Sequence, residues 1–257
     1  MTPRWFTPVA AAALRGAAAP AAAEETPLTV HVISQGAKFI GDSMGGVQVT
    51  VENATTGELL AEGTTTGGTG DTGRIMKTAH KRGAQLSTEG AAQYRTMLDL
   101  DAPTKIEVTA HGPLAQEQAA NTVSATQWVL PGKGIDAGDA WRLTMPGFMV
   151  DVQQPGAHGE RTGVPGTVRV TANVRMMCGC PIKPGGTWDA GAYEVAAIVE
   201  RDGERLREVP LRYAGTPSQF ATDLDLEKAG GYHVTVYAHH PETGMTGLDK
   251  TTFALTP

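Results

Sequence analysis

Aromatic residues are scarce in this 257-residue sequence, where Phe, Trp and Tyr together make up 5% of the chain, and there are only two cysteines. After the N-terminal segment, no apolar run approaches the roughly 20 residues that a helix needs to cross a bilayer. The net charge is −6 and the pI is near 5.6, which excludes the basic footprint of nucleic-acid or anionic-membrane binding. We therefore expect a mature protein with neither a transmembrane segment nor a nucleic-acid partner.

The first 23 residues have the layout of a secretory signal peptide. Arg4 precedes an apolar stretch over residues 5–14, and an alanine-rich segment ends at Ala23 in a form that fits an Ala-x-Ala cleavage site. Arg15 shortens the hydrophobic region, so a disordered Ala/Pro leader is the alternative interpretation. We predict a signal peptide over residues 1–23 and a periplasmic or secreted protein.

The rest of the chain is rich in turn signals. It holds 32 glycines, and Val and Thr recur in short runs bounded by Gly, Pro and Asp, which is typical of all-β proteins. The length suffices for two domains. We predict an all-β fold of two antiparallel β-sandwiches in tandem, over residues 27–145 and 146–257, because Pro146-Gly147 interrupts the strand pattern between them.

Two sequence blocks recur in the same order in both halves. Residues 94–100 resemble residues 220–226, and residues 106–111 resemble residues 234–239. This repetition favours two related sandwiches. Four aspartates in or directly after the first pair of blocks alternate with leucines, so the solvent face of a strand explains them better than calcium binding does: Asp99, Asp101, Asp223 and Asp225.

In the N-terminal half, residues 46–51, a Thr-Gly turn and residues 59–61 predict a hairpin. Residues 46–66 resemble the opening of transthyretin-like and carboxypeptidase-regulatory-like sandwich domains, a resemblance that implies a fold but no activity. Residues 68–73 have the glycine spacing of a phosphate-binding loop. However, Arg74 and Ile75 replace the Lys and the Ser or Thr that such a loop needs. We expect a flexible surface loop up to residue 89.

Seven short strands are predicted in the C-terminal half. They lie over residues 148–152, 167–177, 192–200, 204–213, 219–226, 232–239 and 251–255. This succession of short strands resembles an immunoglobulin-like sandwich. Gly230-Gly231-Tyr232 matches the start of the sixth strand in that family, and the resemblance implies that the tyrosine hydroxyl bonds back to the preceding turn. The inter-sheet disulfide of the family has no counterpart in this sequence.

Both cysteines lie at the end of the most regular strand pattern. From Val168 onwards every second residue is apolar, which predicts a strand with one buried face. If the strand continues to its last apolar position, Met176, Cys178 and Cys180 all point towards the core. No other constellation in the sequence suggests chemistry.

The immunoglobulin-like resemblance implies that the second-to-third and the sixth-to-seventh strand connections share one end of the sandwich. That arrangement brings His240, with His239 and Met245 as further candidates, to the sulfur-bearing residues. Thiolate, thioether and imidazole ligands suit Cu(I) first and zinc second. We predict an exported, non-enzymatic copper protein that binds or delivers the ion through Met176, Cys178, Cys180, His240, His239 and Met245.

Two alternatives stay open. In an exported protein the cysteines can form a disulfide, which leaves a structural or partner-recognition sandwich whose partner is another exported protein. A disulfide between such close cysteines also allows a thiol-disulfide oxidoreductase, with Cys178 attacking and Cys180 resolving. No catalytic triad or carboxylate pair can be assembled from the spacing. Trp188, in the same connection, either shields the site or packs in the core.

Overall fold

The computed structural model describes residues 23–257, and over that range the protein is all-β. The predicted signal peptide, apart from its last residue, lies outside the described residues, so its cleavage and the export of the protein stay predictions. Residues 23–257 form sixteen strands in four sheets, with short helical turns at Asp42–Met44, Gly73–Lys77, Glu117–Ala119 and Ala190–Ala192. None of the helices in this range is long and apolar enough to cross a membrane.

The N-terminal sandwich contains the first seven strands. They are β1 (Glu24–Ser34), β2 (Gln48–Asn53), β3 (Leu59–Thr64), β4 (Tyr94–Leu100), β5 (Thr104–Gly112), β6 (Asn121–Val129) and β7 (Trp141–Met145). One sheet has the order β4-β1-β7 and the other the order β3-β2-β5-β6. β1 and β7 run parallel, with Val30 beside Trp141, whereas the sequence predicted antiparallel pairing.

The C-terminal sandwich contains the other nine strands. They are β8 (Phe148–Gln154), β9 (Gly159–Thr162), β10 (Gly166–Met176), β11 (Glu194–Arg201), β12 (Glu204–Pro210), β13 (Arg212–Tyr213), β14 (Gln219–Leu226), β15 (Gly230–His240) and β16 (Met245–Thr256). Its sheets have the orders β13-β14-β10-β8 and β12-β11-β15-β16-β9. Each predicted strand is present, and the short β9, parallel to β16, was missed. The predicted tandem β-sandwich fold is confirmed.

The repeated blocks occupy corresponding places in the two sandwiches. The first block forms β4 and β14, and the second forms β5 and β15. In each sandwich the chain crosses between these strands from one sheet to the other. Asp223 and Asp225 lie on the exposed face of β14, where Arg169 pairs with Asp223 at 3.0 Å and the Thr167 hydroxyl donates to Asp225.

The tyrosine at the start of β15 makes the hydrogen bond that the family resemblance implied. The Tyr232 hydroxyl donates to the Lys228 carbonyl at 2.7 Å, and its buried ring stacks on Phe253 with centroids 5.3 Å apart. A buried aromatic ring with a satisfied hydroxyl anchors the turn before β15 to the core.

Replacing Tyr232 by Phe should lower the free energy of unfolding by about 1 kcal/mol, because the variant has no hydroxyl and the Lys228 carbonyl loses its donor. Urea denaturation measures the change. Tyr94→Phe is the matched control, since the Tyr94 hydroxyl bonds the Glu62 carbonyl at an exposed site. Equal losses of unfolding free energy in the two variants would show that the Tyr232 hydrogen bond contributes nothing beyond an ordinary surface hydrogen bond.

A third layer covers the outer face of the sheet that contains β1. Most of residues 66–90 are exposed, as expected of a surface loop, but Ile75 is buried with Ala91 and Ala92 against Ile33 and Phe39. The segment therefore packs on β1 instead of standing free in solvent.

Asp139 fastens this layer to the sandwich. Its carboxylate accepts hydrogen bonds from the backbone amides of Leu86 (2.9 Å) and Ser87 (2.7 Å) and pairs with Arg142. Burial alone would raise the pKa of Asp139, but the bonds from Ser87 and Leu86 and the charge of Arg142 together hold that pKa below its ordinary value.

Asp139→Asn should lower the free energy of unfolding by about 1–2 kcal/mol at neutral pH, because charge-assisted bonds are lost. The folded pKa is lowered, so the contribution is complete above the ordinary carboxyl pKa and is lost as the pH falls through the folded value. The difference between parent and variant should therefore shrink in acid. Asp101→Asn, at an exposed aspartate, is the control. A difference that stays constant in acid would contradict this role.

Each core contains side chains from the other half of the chain. Met149 and Met177, which belong to the C-terminal half, lie in the core cluster of the N-terminal sandwich, and Ala37 lies in the C-terminal core cluster. Side-chain amides also cross the junction, from Gln118 to the Val150 carbonyl and from Asn121 to the Pro146 carbonyl, at 3.3 Å each. The division between the sheets of the two sandwiches falls between β7 and β8. The domain bounds 27–145 and 146–257 stay a prediction.

Candidate functional site

The cysteines lie on a tight reversal of the chain directly after β10. The strand ends at Met176, and the Gly179 amide donates to the Met176 carbonyl at 2.8 Å. The Met176 amide donates in turn to the Cys180 carbonyl at 3.2 Å, and Pro181 returns alongside Arg175. The expectation that extended geometry continues to Cys180 is therefore wrong, because the chain turns back two residues earlier.

The paired methionines before the reversal enter different cores. Met176 is buried in the C-terminal core, beside Phe148 of β8, whereas Met177 is buried in the N-terminal core. Successive side chains of an extended segment point in opposite directions, so one dipeptide can serve two hydrophobic clusters. Residues 176–181 are called the sulfur turn below.

Cys178 and Cys180 are joined by a disulfide, and both are almost fully buried, with 1% and 5% of their surface exposed. Neither sulfur is a thiolate in this state, so coordination of a metal by the pair requires reduction first. A disulfide stabilises least when it closes a very short loop. Its effect here is local, because it fixes the backbone of the sulfur turn.

Gly179 is required at the tip of the sulfur turn for two reasons. Its φ of +76° lies in the left-handed region, and a Cβ placed there would be 2.7 Å from the sulfur of Met44 in the N-terminal sandwich. Glycine therefore permits both the reversal and the close approach of the two sandwiches.

The two candidate histidines are bound by other partners. His239 Nδ1 lies 3.1 Å from the Glu194 carboxylate, and His240 Nδ1 lies 2.7 Å from the Thr243 hydroxyl. The His240 ring lies 5.2 Å from the Tyr193 ring, which lies 5.2 Å from Phe148. These contacts link His240 to the Met176 end of β10 through two aromatic rings.

Met245 joins the same buried cluster as the sulfur residues of the turn. It is paired with His240 across β15 and β16 and lies in the C-terminal core cluster with Met176, Cys178 and Cys180. All four sulfur side chains are thus part of the packed interior of the C-terminal sandwich. Within residues 23–257, no group of three or more His, Cys, Asp or Glu side chains is arranged to hold a metal ion.

His158 lies far from this end of the sandwich. Its neighbour Gly159 pairs with Phe253, which pairs with Tyr232, eight residues before His240 on β15. Eight residues of strand span about 27 Å. His158 therefore belongs to the opposite end.

Trp188 is a junction residue that the sequence pattern did not identify as such. Its ring lies in the C-terminal core cluster, and its indole N–H donates to the Gly36 carbonyl of the N-terminal sandwich at 3.0 Å. Of the two roles considered for it, core packing is the one observed, with a hydrogen bond to the other sandwich added. Nearby, burial and then the Asp189 carboxylate raise the pKa of Tyr193, which keeps its phenol neutral.

The sequence matches no protein-family model and no curated protein. Among solved structures, the fibronectin(III)-like modules of Clostridium thermocellum CbhA align over 89% of this chain and 90% of theirs, with 11% identity and a TM-score of 0.30. A DUF3823 family protein from Bacteroides uniformis aligns over 91% and 100%, with 10% identity and a TM-score of 0.29. The chicken interferon gamma receptor alpha chain aligns over 93% and 100%, with 8% identity and a TM-score of 0.30.

These likenesses are too distant to carry any argument about function. The fold assignment depends on the strands and sheets described above. The resemblance of residues 46–66 to transthyretin-like and carboxypeptidase-regulatory-like domains stays a prediction.

Gly179→Ala should destabilise the protein by about 2–4 kcal/mol, because it combines left-handed strain with a clash against Met44. Gly185→Ala is the matched control, since Gly185 has a similar φ of +65° and open space around it. We expect about 1 kcal/mol for the control. Urea denaturation measures both, and Met44→Ala should recover part of the loss in the Gly179 variant. Equal costs at the two glycines would contradict the close approach.

Proposed function

We propose that this chain is an exported, non-catalytic tandem β-sandwich protein that recognises a partner, with the sulfur turn as a structural joint between its two sandwiches. One observation carries the proposal: Met176 and Met177 enter separate cores, and a buried disulfide holds the turn between them. A rigid pair of sandwiches presents its loops and outer faces in a fixed relative orientation, which is how such scaffolds support recognition sites.

The state of the cysteines supports export. Disulfides persist in oxidising compartments and are rare where glutathione keeps thiols reduced. Cys178 and Cys180 are the only cysteines of the chain, and they are bonded to each other. A periplasmic or secreted location, as the signal-like N-terminus predicts, agrees with that bond.

Burial argues against chemistry at the disulfide. Thiol-disulfide exchange needs a thiolate to reach one of the sulfurs in line with the bond. Both cysteines are part of the packed C-terminal core, so an external thiol has no open approach to them. The oxidoreductase alternative therefore receives no support from the geometry.

Soft-metal binding is the second candidate, and the presence of Met176, Met245 and the two cysteines in one core is the observation that favours it. After reduction, two thiolates and two thioethers would form a donor set that suits Cu(I) before zinc. His239 and His240 use Nδ1 for the Glu194 and Thr243 contacts, which leaves Nε2 of each ring as the atom that could add an imidazole ligand. The copper proposal thus requires a reduced and opened turn.

The two functions are distinguished by counting thiols and titrating Cu(I). The full chain, purified without reductant from an oxidising compartment, should show no reactive thiol even in denaturant and should bind no stoichiometric Cu(I). A Cys178→Ser/Cys180→Ser variant should behave like the parent in the same anaerobic titration. Two free thiols in the purified protein, with a one-to-one Cu(I) complex that the double variant loses, would reject the structural role of the sulfur turn. The copper protein would then be the supported function.

A further inference from the structure

β6 is an edge strand whose outer side is open. It ends the sheet of order β3-β2-β5-β6, and β5 pairs with it without a register shift. The sheets of residues 23–257 have seven other edge strands, namely β3, β4, β7, β8, β9, β12 and β13. β6, with nine residues, is the longest of the eight. A long and regular edge strand presents a row of unpaired backbone groups to any other strand that reaches it.

β6 also lacks the features that protect the other edges from pairing. Each of the other seven edge strands contains at least one charged residue, and β12 contains four, with a proline at its end. The sequence of β6, Asn-Thr-Val-Ser-Ala-Thr-Gln-Trp-Val, contains neither a charge nor a proline. Charged side chains and prolines are common means by which proteins keep an edge strand from pairing with another chain. β6 is thus the edge that remains able to pair.

The pairing with β5 shows which backbone groups of β6 point outwards. The Lys105 carbonyl accepts a hydrogen bond at 2.8 Å from the amide of Ala54, the residue after β2, so Lys105 directs its backbone groups towards β2. Its partner across the ladder is Trp128, which therefore directs its own N–H and C=O away from β5. By the same alternation, Ser124 and Thr126 do so too. Within residues 23–257, the N–H and C=O groups of these three residues have no hydrogen-bond partner.

The three outward N–H groups are arranged symmetrically about Thr126. If a second β6 runs antiparallel with its Thr126 opposite the first, Ser124 of each copy faces Trp128 of the other. Every outward N–H group then donates to a carbonyl of the other copy, because the facing residues form hydrogen-bonded pairs that exchange both bonds. The large indole of Trp128, which is 64% exposed, lies opposite the small side chain of Ser124. β6 is therefore complementary to a second copy of itself.

We propose that this chain forms a two-fold symmetric dimer, in which two β6 strands pair antiparallel about Thr126 and join their sheets into one. A two-fold axis uses the same surface on both copies, so the contact closes at two copies. Although each chain carries a net charge of −6, two β6 strands bring no charge into the contact. An acidic or basic peptide would find no opposite charge on β6. The proposal goes beyond the proposed recognition function and does not depend on the state of the cysteines.

Sedimentation velocity of the purified full chain, over concentrations from about 1 μM to about 1 mM, tests this dimer. We expect a monomer–dimer equilibrium. Thr126→Lys should raise the dissociation constant of the dimer roughly tenfold or more, because the two new ammonium groups lie directly opposite each other at the axis. Thr64→Lys is the matched control, since Thr64 is an exposed threonine on β3, at the other edge of the same sheet. The control should dimerise like the parent.

A charge swap separates loss of pairing from misfolding. Thr126→Glu alone should also dimerise weakly, whereas an equimolar mixture of Thr126→Lys and Thr126→Glu should form a heterodimer, because each lysine then faces a glutamate.

Four results would overturn the proposal. They are a parent that stays monomeric over the whole concentration range, a Thr126→Lys variant that dimerises like the parent, a charge-swapped mixture that stays monomeric, and assemblies larger than a dimer. A failure here leaves the thiol count and the Cu(I) titration unchanged, so it is distinguishable from a failure of the structural role of the sulfur turn.

Discussion

The packing of the sulfur turn between two hydrophobic cores is the constraint on which the rest of the structure depends. Met176 and Met177 are neighbours in sequence but lie in different cores, so this one turn is part of the packing of both sandwiches. The disulfide fixes the reversal, and Gly179 lets Met44 approach it. Because protein interiors are close-packed, such a shared segment transmits a displacement of one sandwich to the other.

This arrangement changes how the sulfur-rich sequence is interpreted. Four sulfur side chains do lie in the C-terminal core, and their burial makes them a core element in the oxidised state. The interior thus sets the relative position of the sandwiches, and the outer faces are left for the proposed recognition of a partner.

The sequence-based prediction of the fold depended on the alternation of apolar and polar residues. The alternation along β10 and the turn signals around it predicted the strands of the C-terminal sandwich, and Gly230-Gly231-Tyr232 predicted the hydrogen bond at its corner. Alternation holds only while the backbone is extended, and the left-handed Gly179 ends it. Cys178 and Cys180 are buried in the same core as Met176, as the alternation predicted, but the turn that brings them there could not be predicted that way. Nor does a pattern of buried residues say which core receives each methionine. The covering layer was missed because Ile75, Ala91 and Ala92 are too few to form a pattern.

The most direct measurement of the shared joint is hydrogen exchange with mass spectrometry across a urea titration. If the two sandwiches complete each other's cores, peptides from β5 and from β15 should lose protection at the same urea concentration, in a single cooperative transition. The account predicts coincident midpoints. Loss of protection in one sandwich while the other stays fully protected would contradict it.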